Sequence, residues 1–540
     1  MSMSYGWRYR AKAAAVILGL AALGCLPFLW ALAGGFVWDD HAQIEVNRHL
    51  GVQSLFGYWF ESEHSFAGVG RSSRYNPLGW SVFVLENLVS GGRRPPVLFH
   101  ATSLLTHGLC FVGVLWMMRR LLRSEGGTRG GWSCVLLALV FAWSPVQAEV
   151  ASWPSARFES LASLCLVCAA CLLLRSTSLA LAACAGAVAA LSLFAKESTL
   201  GLVLLLPGLL LVPSHASWGR VRRRALVCWA SLGLGSVLFF LMRSTVQVAM
   251  PQRLAEVSPA HVLFAELRLL RLAFWPTELS LMRPVPTDAG LGDLLAGGAL
   301  VLALTWGFVA RRRLAGRLVL AGGSILLLGT LPGAVAAACF DLLPDRYIYI
   351  GFLGAPLLAG GLLEGLRGSD RRLGRLSPEE LSKMTLVVLA VVLLVGVYSG
   401  LRQSPRWVDD LALFSHEVEL WPEIPQSHYH LGLSQRNVGD HVSAEASLRK
   451  AILHGPGLWQ SWGELAVTSL DREDYEQARW ALEEGIRATA GHPKLIDLLG
   501  LLPKEAERRG LKPADENDED SARAKGIRKE SGGGLRALPD

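Results

Sequence analysis

The sequence predicts an all-α polytopic membrane protein with about eleven transmembrane helices, followed by a C-terminal α-solenoid. Three observations carry that prediction. Only 18% of the 540 residues are charged, while 51% are hydrophobic. Run after run of apolar residues reaches the ~20 residues that a helix needs to cross a bilayer. Behind the last run, a polar stretch repeats its apolar and small residues at a fixed offset. The net charge of +7 does not point to nucleic acid, because the arginines sit in short clusters between apolar runs rather than along one face of a folded domain.

At the N-terminus, Arg8, Arg10 and Lys12 precede an apolar run at 13–35 that lacks a small-residue cleavage site and reads as a retained signal-anchor helix. Further spans read at 98–118, 132–147, 158–174, 177–194, 198–213, 225–243, 291–310, 316–338, 348–366 and 384–401. Lys and Arg near span ends favour the cytoplasmic side. With the N-terminus inside, Arg119, Arg120, Arg123 and Arg129, then Arg220 with Arg222 to Arg224, then Arg311 to Arg313, then Arg371, Arg372 and Arg375 all fall inside. This holds if His261 to Trp275, with Glu266, Arg268 and Arg271, lies along or dips into the outer face. The loops 36–97, 145–157, 195–197, 244–290 and 340–347, and everything after 402, then share the non-cytoplasmic side. All nine cysteines lie in or beside apolar runs, so no disulfide framework is expected.

After the last span, His428-Tyr429-His430-Leu431-Gly432, Gly439, Ala444, Leu448, Ala451 and Pro456 match a tetratricopeptide repeat. A second copy 34 residues on has Leu465-Ala466, Asp474-Tyr475, Ala478 and Leu482, with Gly485 where Ala is expected. Leu411, Phe414 and Pro422 read as half of a preceding repeat. The division is therefore 1–401 membrane domain, 402–503 repeats, and 504–540 a charged, Gly-rich tail expected to be disordered. The repeats would hold an acceptor polypeptide or a partner protein, unless they serve only as a structural cap.

Charged residues at the outer ends of spans are the informative ones, because burying them near lipid is costly. Five groups qualify: Asp39-Asp40-His41; Arg71 with Arg74-Tyr75-Asn76; Glu149 with Arg157 and Glu159; Lys196-Glu197; and Asp345-Arg346-Tyr347. A carboxylate in a partly desolvated setting can act as general base toward a hydroxyl, and repulsion between adjacent acids raises the pKa of one of them. Asp39 and Asp40 are the candidate catalytic acids. Asp40 is preferred, because Asp39 is the better placed helix cap. Arg74, Lys196 and Arg346 suit a lipid-linked phosphate and would steady its departing charge. His41, Tyr75, Glu149, Arg157, Glu197, Asp345 and Tyr347 are supporting candidates. Lys196-Glu197 also fits a structural ion pair, and Arg346 with Tyr347 and Tyr349 fits an interfacial anchor. His100 and His107 read as helix-packing residues. Two acids without further placed oxygen ligands make a thin metal site, so no cofactor is required, and a divalent cation at the donor phosphate stays an open alternative.

Together these pieces resemble the transmembrane and tetratricopeptide repeat-containing O-mannosyltransferases and their bacterial relatives, within the GT-C glycosyltransferases. The resemblance rests on Phe36-Val37-Trp38-Asp39-Asp40 with Asn47, Arg74-Tyr75-Asn76-Pro77-Leu78, Ser144-Pro145-Val146-Gln147-Ala148-Glu149-Val150, Ala195-Lys196-Glu197 and Asp345-Arg346-Tyr347-Ile348-Tyr349, in that order, with the repeats after them. It implies a catalytic acid in the first outer loop, a polyprenyl-phosphate sugar as donor (mannose in the eukaryotic members) and a Ser or Thr hydroxyl as acceptor. The chain departs from that pattern at Asn76, where the family has Arg, at Ser144 for His and at Asp345 for Glu, and it shows fewer repeats. Its Ala-, Leu-, Gly- and Arg-rich usage suggests a bacterial inner membrane, a periplasmic site and an undecaprenyl-type donor. The competing expectations are an oligosaccharide ligase or polymerase of the same architecture, and a non-enzymatic scaffold recruiting proteins through its repeats.

Overall fold

The computed structural model describes residues 2–61, 75–123, 131–175, 178–213, 217–246, 257–367 and 378–511. Arg71, Arg74 and the tail beyond 511 lie outside these residues. Among the described residues the chain is helical, and the one β-type pairing is an isolated bridge between Pro284 and Leu342. Seven helices are long and apolar enough to cross a membrane: Pro96–Arg123, Pro154–Arg175, Trp218–Thr245, Leu291–Val309, Leu314–Phe340, Asp345–Leu366 and Lys383–Trp407. The protein is a multi-pass membrane protein.

The count rises to nine if two bent pairs each make one span: Lys12–Gly24 with Leu26–Ala33, bent by 86°, and Gly131–Ala142 with Pro145–Ser152, bent by 50°. Each break is followed by a proline in the first turn of the next helix, Pro27 and Pro145, a residue that opens a helix readily and removes a hydrogen bond from the turn before it. The runs expected at 177–194 and 198–213 fold as Leu179–Ala195 and Glu197–Leu211, which are apolar but short of a full span. Between them Lys196 is extended, at φ −155° and ψ 116°, which turns its side chain out of both helices. The helix Pro259–Phe274 is not among the candidate spans. Its Arg268 forks onto the Asp293 carboxylate at 2.9 and 3.1 Å, and Arg271 approaches the same carboxylate at 3.2 Å.

Small residues let the long helices close on one another. A Cβ added at Gly322 would strike the backbone of Leu358 and Gly354, and one at Gly186 would strike the backbone of Cys228. Leu314–Phe340 carries Pro332 in its interior and ends at Asp341, whose left-handed φ of 55° stops the helix. The chain then turns directly into Asp345-Arg346-Tyr347.

The chain divides into two compact units, Met1–Leu420 and Trp421–Asp540. The stretch 402–420, expected to open the repeats, belongs to the first unit through its hydrogen bonds. Glu417 accepts from Ser280 Oγ (2.6 Å), Leu281 N (3.0 Å) and Met282 N (2.9 Å), and the Arg406 guanidinium donates to Leu279 O at 2.6 Å. The second unit holds the helices Pro425–Asn437, His441–His454, Trp459–Asp471, Tyr475–Ala488 and Pro493–Arg508. Each packs on the next, the first also on the third and the third on the fifth. The last helix runs past 504, so the ordered chain extends further than its composition suggested.

Residues 34 apart play the same part in successive helix pairs. Ala444 and Ala478 are both fully buried, as are Leu448 and Leu482. Asp440 and Asp474 cap their helices by accepting from Ser443 N (3.1 Å) and Gln477 N (2.9 Å). Gly485 breaks the pattern for a packing reason, because a Cβ there would meet the Trp462 side chain at 2.7 Å. Gly485→Leu should therefore destabilise the second unit by about 1–3 kcal/mol, read as an earlier thermal transition and faster proteolysis between 459 and 493. An unchanged transition would show that Trp462 does not fill that space.

Candidate active site

The first loop enters its turn through Trp38, whose φ of 47° is rare for a bulky residue. Contacts on both sides hold it there. Its backbone N–H donates to Asp410 Oδ1 at 2.7 Å, and its ring stacks on Trp153 (5.2 Å, 25°), which stacks in turn on Trp407 (5.8 Å, 17°). Asp40 follows and is fully enclosed. Its carboxylate accepts from Ser155 N (2.9 Å), Ser155 Oγ (2.5 Å) and Val37 N (3.3 Å), and burial pushes its pKa up to about 7. Asp39 is only half-buried and accepts from Gln43 Nε2 at 3.2 Å.

His41 sits between two carboxylates, with Nε2 3.0 Å from Asp410 and Nδ1 2.5 Å from Glu45. The Asp410 hydrogen bond is the main cause that raises its pKa to about 9, so the ring is cationic at neutral pH. It serves as a latch between the first loop and the segment after the last long helix, which gives a physical form to its supporting role.

A cavity of about 460 Å³ gathers residues from the other four charged groups. Lys196, Glu197, Arg346 and Tyr347 line it, together with Asn76 and Glu159. The apolar part of the lining comes from one face of Leu314–Phe340, where Gly329, Pro332, Gly333, Ala336, Cys339 and Phe340 follow helical spacing. Gly333 is needed there, since a Cβ would meet Tyr347 Cβ at 2.5 Å.

Each cation is steadied by an acid. Lys196 Nζ lies 2.6 Å from Glu159, and Arg346 lies 2.6 Å from Glu149, whose other oxygen accepts the Arg346 backbone N–H at 2.9 Å. Arg346 also lies over the Trp153 ring at 5.6 Å and the Tyr347 ring at 5.4 Å. That places Trp153 between Arg346 and Trp38, so one indole connects the cationic cavity to the acidic loop. Lys196 does not pair with Glu197, as its neighbour in sequence suggested. Glu197 faces Arg243 at 3.7 Å instead.

The remaining candidates stand behind this lining. Asp345 is buried against Arg283 (3.0 Å) and Ser280 N (2.8 Å), which fixes the turn that presents Arg346. Arg157 pairs with Glu86 and lies over Phe83 at 4.7 Å. Tyr75 donates to Trp59 O at 2.8 Å and packs on Phe194 and Phe239. Asp39, Asp40, His41, Tyr75, Glu149, Arg157 and Asp345 do not line the cavity. His100 lies 2.8 Å from Ser152 O and 2.9 Å from Gly35 O, and His107 lies 2.8 Å from the Tyr349 hydroxyl and 3.1 Å from Ala142 O; each carbonyl can only accept from the ring, so both histidines tie separate segments together. Sequence reading missed Arg243, which lines the cavity; its only signal was a lone arginine near the end of an apolar run.

Among the described residues no group of three or more His, Cys, Asp or Glu is placed to hold a metal ion. No protein-family model matches the chain, and no curated protein matches it.

The His41 latch has a definite pH dependence. A pKa raised in the folded state contributes stability that is complete below the unfolded value of about 6.5 and is lost as pH rises through about 9. Proteolysis near Asp410 should accelerate between pH 8 and 10 by about several-fold, and Asp410→Asn should remove that step. A cleavage rate flat across this range in the wild type would contradict the latch.

Proposed function

We propose that the protein is a membrane glycosyltransferase that moves a sugar from a polyprenyl-phosphate sugar to a hydroxyl acceptor. The observation that carries this reading is a cavity lined both by Lys196 and Arg346 and by the apolar face of Leu314–Phe340. A lipid-linked phosphate has the same two-sided chemistry. On this reading the chain is a relative of the GT-C O-mannosyltransferases, and the site faces the periplasm. The helix pairs after 421 are tetratricopeptide repeats that hold the acceptor polypeptide, presenting Ser or Thr.

Asp39, rather than Asp40, is the general base in this proposal. The Asp40 carboxylate is enclosed and already accepts three hydrogen bonds, so it has no open face toward a substrate. Asp39 keeps exposed surface in the same turn, outside the cavity lining, so the acceptor hydroxyl it serves would reach from that turn to the donor in the cavity. Asp39 takes the acceptor's hydroxyl proton, the oxygen bonds to the anomeric carbon, and the bond from that carbon to the phosphate oxygen breaks with its electron pair leaving on the phosphate. The donor phosphodiester carries one negative charge and the departing lipid phosphate carries more. Lys196 and Arg346 are therefore best used in the transition state, where that charge develops. No separate acid is needed for this leaving group. A divalent cation at the phosphate remains compatible with the chemistry but is not required by it.

Purified protein given radiolabelled polyprenyl-phosphate sugars and a Ser- and Thr-containing peptide should transfer label. Asp39→Asn should cost about 100-fold or more in rate, and Lys196→Ala or Arg346→Ala about 100-fold each. Asp40→Asn keeps a neutral acceptor toward Ser155 and should stay within about ten-fold of wild type, with a folded-state cost of about 1 kcal/mol. Full transfer by Asp39→Asn would remove the proposed base, and no transfer with any donor would favour a scaffold.

A further inference from the structure

Two polar groups in the cavity are incompletely satisfied, and both belong to its lining. Asn76 is 5% exposed, and its side-chain oxygen has no hydrogen-bond partner. Glu197 Oε2 is buried and likewise lacks one, since Arg243 at 3.7 Å is beyond hydrogen-bond reach. A buried polar atom without a partner costs about 1–3 kcal/mol, and a ligand entering the cavity can supply the missing bond. The cations differ in the same sense. Lys196 and Arg346 are each held at 2.6 Å by a carboxylate, whereas Arg243 has only its loose approach to Glu197.

The charges of the lining point to the kind of ligand. Lys196, Arg243 and Arg346 line the cavity and each has an acid near it, Glu159 at 2.6 Å, Glu197 at 3.7 Å and Glu149 at 2.6 Å. The Arg243 pair is the loosest of the three, so its guanidinium can turn to an incoming phosphodiester and meet its single negative charge. The buried Asn76 amide and the part-exposed Glu197 carboxylate are groups that hydrogen-bond the hydroxyls of a sugar, because hydroxyls both donate and accept.

We infer that Arg243 is a third phosphate-binding residue of this cavity and that Asn76 hydrogen-bonds a hydroxyl of the sugar on the same ligand, so the cavity selects a glycosyl phosphodiester of a lipid over the bare lipid phosphate. Arg243 exchanges Glu197 for the phosphate, and the released Glu197 carboxylate accepts from a second hydroxyl. The inference rests on the donor class proposed above and adds the residues that read it.

Equilibrium binding to the purified full-length chain in detergent separates the two roles. The probes are radiolabelled polyprenyl phosphate and a panel of its mannosyl and glucosyl esters, with phosphatidylglycerol as an anionic-lipid control. Arg243→Ala should weaken the bare and the glycosylated lipid alike, by about ten-fold or more, and Arg243→Lys should recover most of that loss. Asn76→Ala should weaken the best-bound glycosylated lipid by about ten-fold and leave polyprenyl phosphate unchanged. Arg243→Ala binding as wild type, equal loss of both probes in Asn76→Ala, or phosphatidylglycerol binding with the same dependence on Arg243 would each overturn the inference while leaving the donor class standing. Wild-type protein that holds none of the polyprenyl lipids would overturn the donor class and this inference together.

Discussion

The enclosed carboxylate of Asp40 is the constraint on which the arrangement depends. It fastens the first loop to the turn at Ser155, two residues beyond Trp153. Trp153 in turn lies between Trp38 and Arg346. A single buried acid thereby sets the distance between the acidic loop and the cationic cavity. Burial disfavours its charged form, so ionising Asp40 above about pH 7 works against the fold, and the surrounding donors limit that cost. This explains why one of two adjacent acids is used for architecture while the other keeps an open face.

The cavity shows a second economy of charge. Glu149 and Glu159 hold Arg346 and Lys196 in fixed directions before any ligand arrives. Under the proposed transfer, fixed cations near the departing phosphate would need little reorganisation. Glu149 lies outside the lining, and Asp345 fixes the turn from below through Arg283 and Ser280. Glu149, Glu159 and Asp345 thus act as supports for cations. The helix Leu314–Phe340 completes the site by being apolar along the facing side and small at Gly333.

Much of this was legible in the sequence, because hydrophobic length and end charges obey simple rules. The helical class, the membrane character, the 34-residue echo of Ala444 in Ala478 and the meeting of Lys196, Glu197, Arg346 and Tyr347 all follow from local pattern. The rest depends on contacts distant in the chain. That Asp40 rather than Asp39 is enclosed is decided by Ser155, and that 402–420 joins the first unit is decided by Ser280, Leu281 and Met282 donating to Glu417. The span count missed the bends at Pro27 and Pro145, because hydropathy averages over a break that one proline creates. Arg243 was passed over because one arginine at the end of an apolar run carries no pattern.

The central claim is that a lipid-linked phosphate occupies the cavity between Lys196, Arg346 and the helix Leu314–Phe340. The measurement closest to it is photo-crosslinking with a polyprenyl phosphate whose first isoprene unit carries a diazirine, followed by peptide mapping. The account predicts label concentrated on residues 329–340 and lost when Lys196 and Arg346 are both changed to Glu. Label spread over the outward faces of the long helices, and indifferent to those charges, would contradict it.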